Sequence, residues 1–278
     1  MRRCLRAGAF LVVTAVLLRA QDPREIVRRS TEENRRAGKL AESYTFIERQ
    51  DQRGFDSHGR VERRSVKTFD VTLTEGSPYR RLIARDDKPL PTEEERSEQG
   101  KLQKSIEQRR AETPAQREKR LADWRRRRDH EREFLREVPD AFHFRLAGEE
   151  TLDGRRVYVI DATPRSDFKP RSNDGKLLTK MKGRLWIDAE TYEWAKAEAE
   201  TVDTVSFGGF ALRVGPGTRF NLEQTRVNGE IWLPKHVTVT WQARLLLFKR
   251  LSGDLDFSYR DYKKFQSESH IVASEPRP

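Results

Sequence analysis

The sequence predicts an α+β fold built on a single curved antiparallel sheet of about 10–11 strands. Apolar and polar residues alternate in many short segments, for example over 61–73, which is typical of strands with one face in water. Asp153-Gly154 and Asn228-Gly229 separate such segments and favour hairpins. Two highly charged stretches, 22–42 and 92–138, carry helix-start signals instead, so we expect helices beside one sheet.

The first helix is predicted over 23–42. Asp22 can cap it, Pro23 suits the first helical position, and Glu25 lies in the first turn. Its apolar stripe is thin and includes Ile26 and Val27, a pattern typical of a helix that lies on a sheet with one side in water.

Residues 92–138 are predicted to form a helical insertion. They contain 14 Lys+Arg and 12 Asp+Glu in 47 residues. Capping boxes begin at Thr92 and at Thr113, and Pro139 is expected to end the second helix, so we expect helices over 93–112 and 114–137. Either the pair projects from the sheet or, together with the first helix, it covers the sheet.

Strand residues of one face form the candidate site. Most are large and apolar, whereas three alanines near the middle leave room. From this pattern, either an apolar cavity remains on the concave face or helices and side chains fill the space completely. The predicted cavity residues are Phe69, Val71, Leu73, Leu185, Ile187, Ala195, Ala197, Ala199, Phe220, Leu222, Val237, Val239, Trp241, Leu255, Phe257 and Tyr259.

The N-terminus is predicted to be an export signal. Residues 1–6 are basic, 7–18 are apolar, and Ala20 is a small residue before a polar change, which is the layout of a signal peptide. We expect cleavage after Ala20 and an exported protein, with an uncleaved anchor as the alternative. The mature protein would then comprise one domain, 21–265, and a polar tail, 266–278.

Composition narrows the classes of protein further. The 278 residues include 56 Lys+Arg and 45 Asp+Glu, a net charge of +11, which falls to +7 when the four arginines of the signal are removed. Only one segment is apolar enough to enter a bilayer, which excludes a polytopic membrane protein. One cysteine, Cys4, excludes a disulfide scaffold and leaves none after cleavage.

Motifs of enzymes are not found in the sequence. The five histidines lack zinc-ligand spacing, and there is neither a Gly-x-Ser-x-Gly elbow nor a phosphate-binding loop. We therefore predict no catalytic residues, no metal and no cofactor. An unrecognised enzyme would be indicated by polar side chains with shifted pKa values inside the cavity.

The four consecutive arginines at 125–128 could indicate binding of a nucleic acid. Charges in the surrounding insertion nearly balance, and four consecutive arginines point around a helix rather than along one side, so we predict no nucleic-acid partner. The excess positive charge could instead draw the protein to anionic lipid head groups at the membrane surface.

Three segments carry a resemblance to a known family. Residues 183–192 read Gly-Arg-Leu-Trp-Ile-Asp-Ala-Glu-Thr-Tyr, 230–235 read Glu-Ile-Trp-Leu-Pro-Lys, and 257–265 close with Phe-Ser-Tyr-Arg-Asp-Tyr-Lys-Lys-Phe. The chain from about 22 to 265 resembles the outer-membrane lipoprotein-sorting (LolA-like) periplasmic carriers, in which a G-x-x-W-I-D-x-x-T hairpin recurs. The charged insertion departs from that pattern.

The resemblance implies an unclosed β-barrel with a helical lid over an apolar cavity that holds acyl chains. We therefore expect a periplasmic carrier or binder of lipid or lipoprotein acyl chains. The alternative is an envelope sensor or protein-interaction module of the same fold that binds a protein partner through the charged helices of 92–138.

Overall fold

The computed structural model describes residues 22–131, 133–207, 212–246 and 249–265. The predicted signal peptide and the tail 266–278 lie outside the described residues. Four α-helices are described: α1 (Pro23–Leu40), α2 (Thr92–Arg110), α3 (Pro114–Glu131) and α4 (Val138–Ala141). The described strands are β1 (Tyr44–Phe55), β2 (Val61–Thr74), β3 (Ser77–Arg85), β4 (Lys88–Pro89), β5 (Phe142–Leu152), β6 (Arg155–Pro164), β7 (Met181–Asp188), β8 (Trp194–Thr201), β9 (Val205–Phe207), β10 (Leu212–Val214), β11 (Arg219–Val227), β12 (Ile231–Leu245) and β13 (Lys249–Lys264).

The strands form one antiparallel sheet, which confirms the predicted fold class. Eleven of the described strands follow in the order β4-β3-β2-β1-β13-β12-β11-β8-β7-β6-β5, and the sheet does not close. The short strands β9 and β10 add at the end of β12 and bring the described total to 13. Adjacent hairpins dominate, as the turn dipeptides predict, but the first and last described strands, β1 and β13, also pair with each other.

Helix α1 lies on the face that we call the inner face. As predicted, Asp22 caps the helix, accepting a hydrogen bond from the Arg24 N–H at 2.9 Å. Ile26 and Val27 are buried in a core cluster with residues of β5 to β8, while Ser30 accepts a hydrogen bond from the Trp194 indole at 2.7 Å. Its C-terminal half contacts the start of β12.

Helices α2 and α3 are fastened to the turn between β2 and β3. Arg109 donates hydrogen bonds to the carbonyls of Thr74 and Ser77, at 2.9 and 3.1 Å. Arg120 donates to Ser77 Oγ at 2.7 Å and to the Glu75 carbonyl at 3.1 Å. The pair is therefore anchored at the end of the sheet where β2 ends.

The two predicted capping boxes have different outcomes. Thr113 and Gln116 cap α3 reciprocally, with Gln116 N–H to Thr113 Oγ1 at 3.3 Å and Thr113 N–H to Gln116 Oε1 at 2.9 Å. The box at Thr92 is wrong, because α2 begins at Thr92 itself and Pro91 occupies the cap position without a side-chain bond. Helix α3 ends at Glu131 rather than 137, and Pro139 lies in the first turn of α4 instead of ending a helix.

Residues 165–180 form a loop that closes over the inner face of β5 to β7. Leu178 is buried in the core cluster there, and Phe168 packs against it. Glu137 holds the loop by accepting hydrogen bonds from the N–H groups of Arg171 and Ser172, at 2.8 and 3.0 Å. One half of the inner face is thus covered by α1, α4 and this loop.

Candidate functional site

Two apolar rows cross four neighbouring strands on the inner face. Directly opposed residues in an antiparallel sheet lie on the same face. The first row is Ala199, Phe220, Val239 and Leu255, on β8, β11, β12 and β13 in turn. The second row is Ala197, Leu222, Val237 and Phe257. The structure therefore brings these eight predicted cavity residues together, and we call the surface that they form the groove.

Burial changes along these rows. At the β8 end, Ala197 is buried in the core cluster beneath α1, together with Leu185 and Ile187 of β7. On β11, β12 and β13, the six apolar residues of the two rows are all half-buried. Over β7 and at Ala197 the protein fills its own inner face, whereas at Ala199 and over β11 to β13 the described residues leave apolar side chains partly uncovered.

Trp241 extends the groove by one further position along β12. It opposes Gly253 of β13, and an ideal Cβ on Gly253 would lie 3.0 Å from the Trp241 ring and 2.4 Å from the Arg53 carbonyl oxygen. Only glycine leaves room for both neighbours. The half-buried indole therefore lies over the backbone of β13 at the end of the groove that is remote from α1.

The prediction that Ala195 lines the cavity is wrong. Strict alternation would place it with Ala197 and Ala199, but a bulge between Trp186 and Ile187 shifts the pairing of β7 with β8. Ala195 instead joins a separate buried cluster on the other face with Trp186 and Trp232. It therefore does not line the groove, and only two of the three alanines share the inner face.

Polar residues of β1 interrupt the predicted apolar face. Gln50 opposes Phe257 and Gln52 opposes Leu255, so each row ends on a glutamine. Glu48, opposite Tyr259, is buried and forms an ion pair with Arg80 at 2.9 Å. The alternation Glu48-Gln50-Gln52 is visible in the sequence and could have located this border.

Phe69, Val71 and Leu73 lie beyond that border, on β2. Glu48 opposes Phe69, and the guanidinium of Arg80 lies 4.3 Å from the centre of the Phe69 ring. Val71 is buried, whereas Phe69 and Leu73 are half-buried. These three predicted residues form a patch separate from the groove.

Tyr259 marks the junction between the groove and this patch. Its ring is 5.8 Å from that of Phe46, and burial together with the nearby Glu48 carboxylate raises the pKa of its hydroxyl to about 12. The phenol is therefore neutral at physiological pH.

A separate pocket of about 210 Å³ lies beside the second half of α1. Its polar and charged lining includes Glu193, in which burial raises the pKa of the carboxyl against the opposing effects of the Trp232 N–H and Arg226. The remaining lining residues are Glu33, Arg36, Ala37, Leu40, Glu230 and Ile231. None of the predicted cavity residues lines this pocket.

The described residues contain no group of three or more His, Cys, Asp or Glu side chains placed to hold a metal ion. Across the same residues, no helix has both the length and the apolar character needed to span a membrane. What the groove offers chemically is an apolar surface with polar borders.

Comparison with solved structures finds weak structural similarity that extends over most of the chain. A protein from Vibrio parahaemolyticus described as an outer membrane lipoprotein-sorting protein domain is 10% identical, with a TM-score of 0.34, and the match covers 88% of this chain and 95% of that one. A LolA superfamily protein from Nitrosomonas europaea is 13% identical, with a TM-score of 0.27 and coverages of 90% and 96%.

The complex of MucA and MucB from Pseudomonas aeruginosa also contains a similar chain. The identity is 11% and the TM-score 0.25, with 89% of this chain and all of that chain covered. No family model matches the sequence, and no curated protein matches it.

Proposed function

We propose that this protein is a periplasmic carrier or binder that holds acyl chains of a lipid or lipoprotein in the groove without covalent chemistry. The observation that carries the proposal is the pair of apolar rows, half-buried over β11 to β13 with no complete cover from the described residues. Each methylene moved from water to such a surface contributes roughly 0.8 kcal/mol, so a single chain would bind usefully.

Filling the groove tests this proposal. Ala199 lies between Gly183 and Phe220 on the inner face, and Ala199→Phe would place a ring where an acyl chain would lie. Glu198→Phe is the matched control, because it introduces the same side chain one residue earlier and on the other face of β8. Binding of dansyl-labelled undecanoic acid is followed by fluorescence, and folding by circular dichroism.

We expect Ala199→Phe to weaken probe binding at least ten-fold and Glu198→Phe to leave it unchanged. Native mass spectrometry of protein purified from a bacterial periplasm should also show a co-purifying mass that extracts as lipid or acyl peptide. Absence of any bound mass, together with no binding of the probe, would overturn the proposal.

The alternative is a protein-interaction module that acts through the charged helices. One observation favours it: α2 has no buried residue along its length, and Arg125, Arg126 and Arg127 of α3 are exposed. Such helices contribute little to the core and leave their charged surface available to a partner. A purified acidic partner whose binding is lost in Arg125→Glu/Arg127→Glu, with probe binding intact, would support this function instead.

A further inference from the structure

The two ends of the sheet differ in character. At the helical end, where β1, β8 and β12 begin, α1 packs over the inner face. At the opposite end, which we call the hairpin end, β1 and β12 finish and β13 begins. No described helix packs there, and the β12–β13 hairpin reaches past its neighbour β1. Phe55, the last residue of β1, opposes Ser252, whereas β13 already begins at Lys249. Over these three residues, about 10 Å of strand, β13 pairs with β12 but with no residue of β1.

The described residues at the tip of this hairpin are apolar and exposed. Leu245 is 40% exposed and Leu246 is 61% exposed. Alternate residues of a strand lie on the same face, so Leu245 is on the face of β12 that carries Val239 and Trp241. The apolar surface of the groove therefore continues to the tip. Leu212 of β10 opposes Leu245 and supports the tip from the side.

Cations flank these leucines. Arg244, Lys249 and Arg250 are exposed, and none of them forms an ion pair within the described part of the chain. No acidic residue occurs anywhere in 231–253, or in 204–222, the segment that includes β9 and β10. The β12–β13 hairpin is therefore positive and apolar at once, in a protein whose other surfaces mostly pair arginines with carboxylates.

We propose that the β12–β13 hairpin docks the protein on an anionic lipid bilayer, with Leu245 and Leu246 entering the interface and Arg244, Lys249 and Arg250 contacting anionic head groups. Apolar side chains gain free energy from the acyl boundary, and basic residues near an anionic surface are attracted to it. Docking at this end would turn the open end of the groove, at Trp241, toward the lipid. This proposal stands whether or not the groove holds an acyl chain.

Vesicle sedimentation tests the proposal with protein purified from a bacterial periplasm. Vesicles of phosphatidylcholine with phosphatidylglycerol are compared with vesicles of phosphatidylcholine alone. Leu246 has a positive φ of 53°, which asparagine adopts readily, so Leu246→Asn removes the apolar side chain without straining the turn. The matched control is Phe265→Asn, which changes a residue that is 50% exposed beyond the far end of β13.

We expect binding to the anionic vesicles, weakened about ten-fold by Leu246→Asn and unchanged by Phe265→Asn. Arg244→Gln/Arg250→Gln should weaken it about thirty-fold, since each cation contributes roughly five-fold. Failure of the wild-type protein to bind anionic vesicles, or tip variants that bind as tightly as wild type, would overturn the proposal. Loss of binding in Arg125→Gln/Arg127→Gln alone would place membrane contact on α3 instead.

Binding of the dansyl-labelled acid is measured on the same samples. Vesicle binding without probe binding would support docking and contradict the acyl groove, and the reverse result would contradict docking alone.

Discussion

The carboxylate of Asp188 accepts a hydrogen bond from the indole of Trp232 at 3.0 Å. It also accepts two hydrogen bonds from the guanidinium of Arg155, at 2.5 and 3.1 Å. Asp188 belongs to the Trp-Ile-Asp segment of the hairpin motif, and Trp232 to the Ile-Trp-Leu-Pro segment. Two of the segments that carry the family resemblance therefore meet in one buried contact. This contact ties the β7–β8 hairpin to β12 and accounts for these motifs as structural elements rather than as ligand contacts.

Asp188→Asn is expected to lower the free energy of unfolding by about 2–3 kcal/mol at pH 7. Burial alone would raise the pKa of Asp188, but hydrogen bonds from Arg155, Thr191, Glu190 and Trp232 lower it to about 2. Because the folded pKa lies below the ordinary value of 3.8, the ionised carboxylate stabilises the fold above that value. The stabilisation, roughly 2 kcal/mol, is lost as the pH falls toward 2.

Urea unfolding at pH 7 and near pH 2 checks this prediction. The difference between wild type and Asp188→Asn should shrink at the lower pH. Glu190→Gln is the control, since its exposed carboxylate also pairs with Arg155 and should contribute little. An equal difference at both pH values would show that the charge of Asp188 is not the source of the effect.

Gly253→Ala is expected to destabilise the protein by 2 kcal/mol or more, about the cost of overpacking a filled site. The added methyl group would lie 2.4 Å from the Arg53 carbonyl oxygen and would displace Trp241. Gly100→Ala is a contrasting variant, because nothing lies within 4 Å of that position on α2. It should stabilise the protein by about 0.5–1 kcal/mol. Thermal unfolding of both variants checks whether Gly253→Ala lowers the stability and Gly100→Ala raises it.

Arg109→Ala is expected to release α2 from the β2–β3 turn. Its guanidinium satisfies the carbonyls of Thr74, Ser77 and Pro78, and removal should cost about 1.5–3 kcal/mol locally. Limited trypsin digestion should then cut within 92–131 faster than in wild type. Arg110→Ala is the control, because Arg110 makes an exposed ion pair with Glu75. Equal digestion of the two variants would contradict an anchoring role for Arg109.

Glu137→Ala is expected to loosen the loop 165–180. The buried carboxylate accepts hydrogen bonds from the hydroxyl and the N–H of Ser172 and from the N–H of Arg171. These contacts keep its pKa low although burial opposes the charge. We expect a loss of about 2–3 kcal/mol and faster hydrogen exchange in the loop. Glu133→Ala, which changes an exposed carboxylate, should leave exchange unchanged. Protection that persists in Glu137→Ala would show that Leu178 and Phe168 alone hold the loop.

Local pattern was sufficient to predict much of the groove. The alternation in β11, β12 and β13 placed Phe220, Val239 and Leu255 on one face, and their opposition follows from the hairpin pairing. Pattern failed where pairing departs from strict alternation, as at the bulge that moves Ala195 to the other face. A bulge depends on the neighbouring strand, so the sequence of β8 alone does not reveal it.

Long-range contacts explain the other differences. Pairing of β1 with β13 joins the first and the last described strands and places Gln50 and Gln52 at the border of the groove. Glu137 directly precedes α4, and its hydrogen-bond partners lie more than thirty residues later.

The sequence by itself determined the α+β class, the reciprocal cap at Thr113, and the apolar residues that strands carry on one side. These features depend on backbone preference and side-chain periodicity, which act between near neighbours along the chain. Tertiary structure alone decided which apolar residues are covered by α1 and which remain half-buried. It also decided that Arg244 and Leu245 are exposed on the β12–β13 hairpin, because burial depends on elements far apart in the sequence.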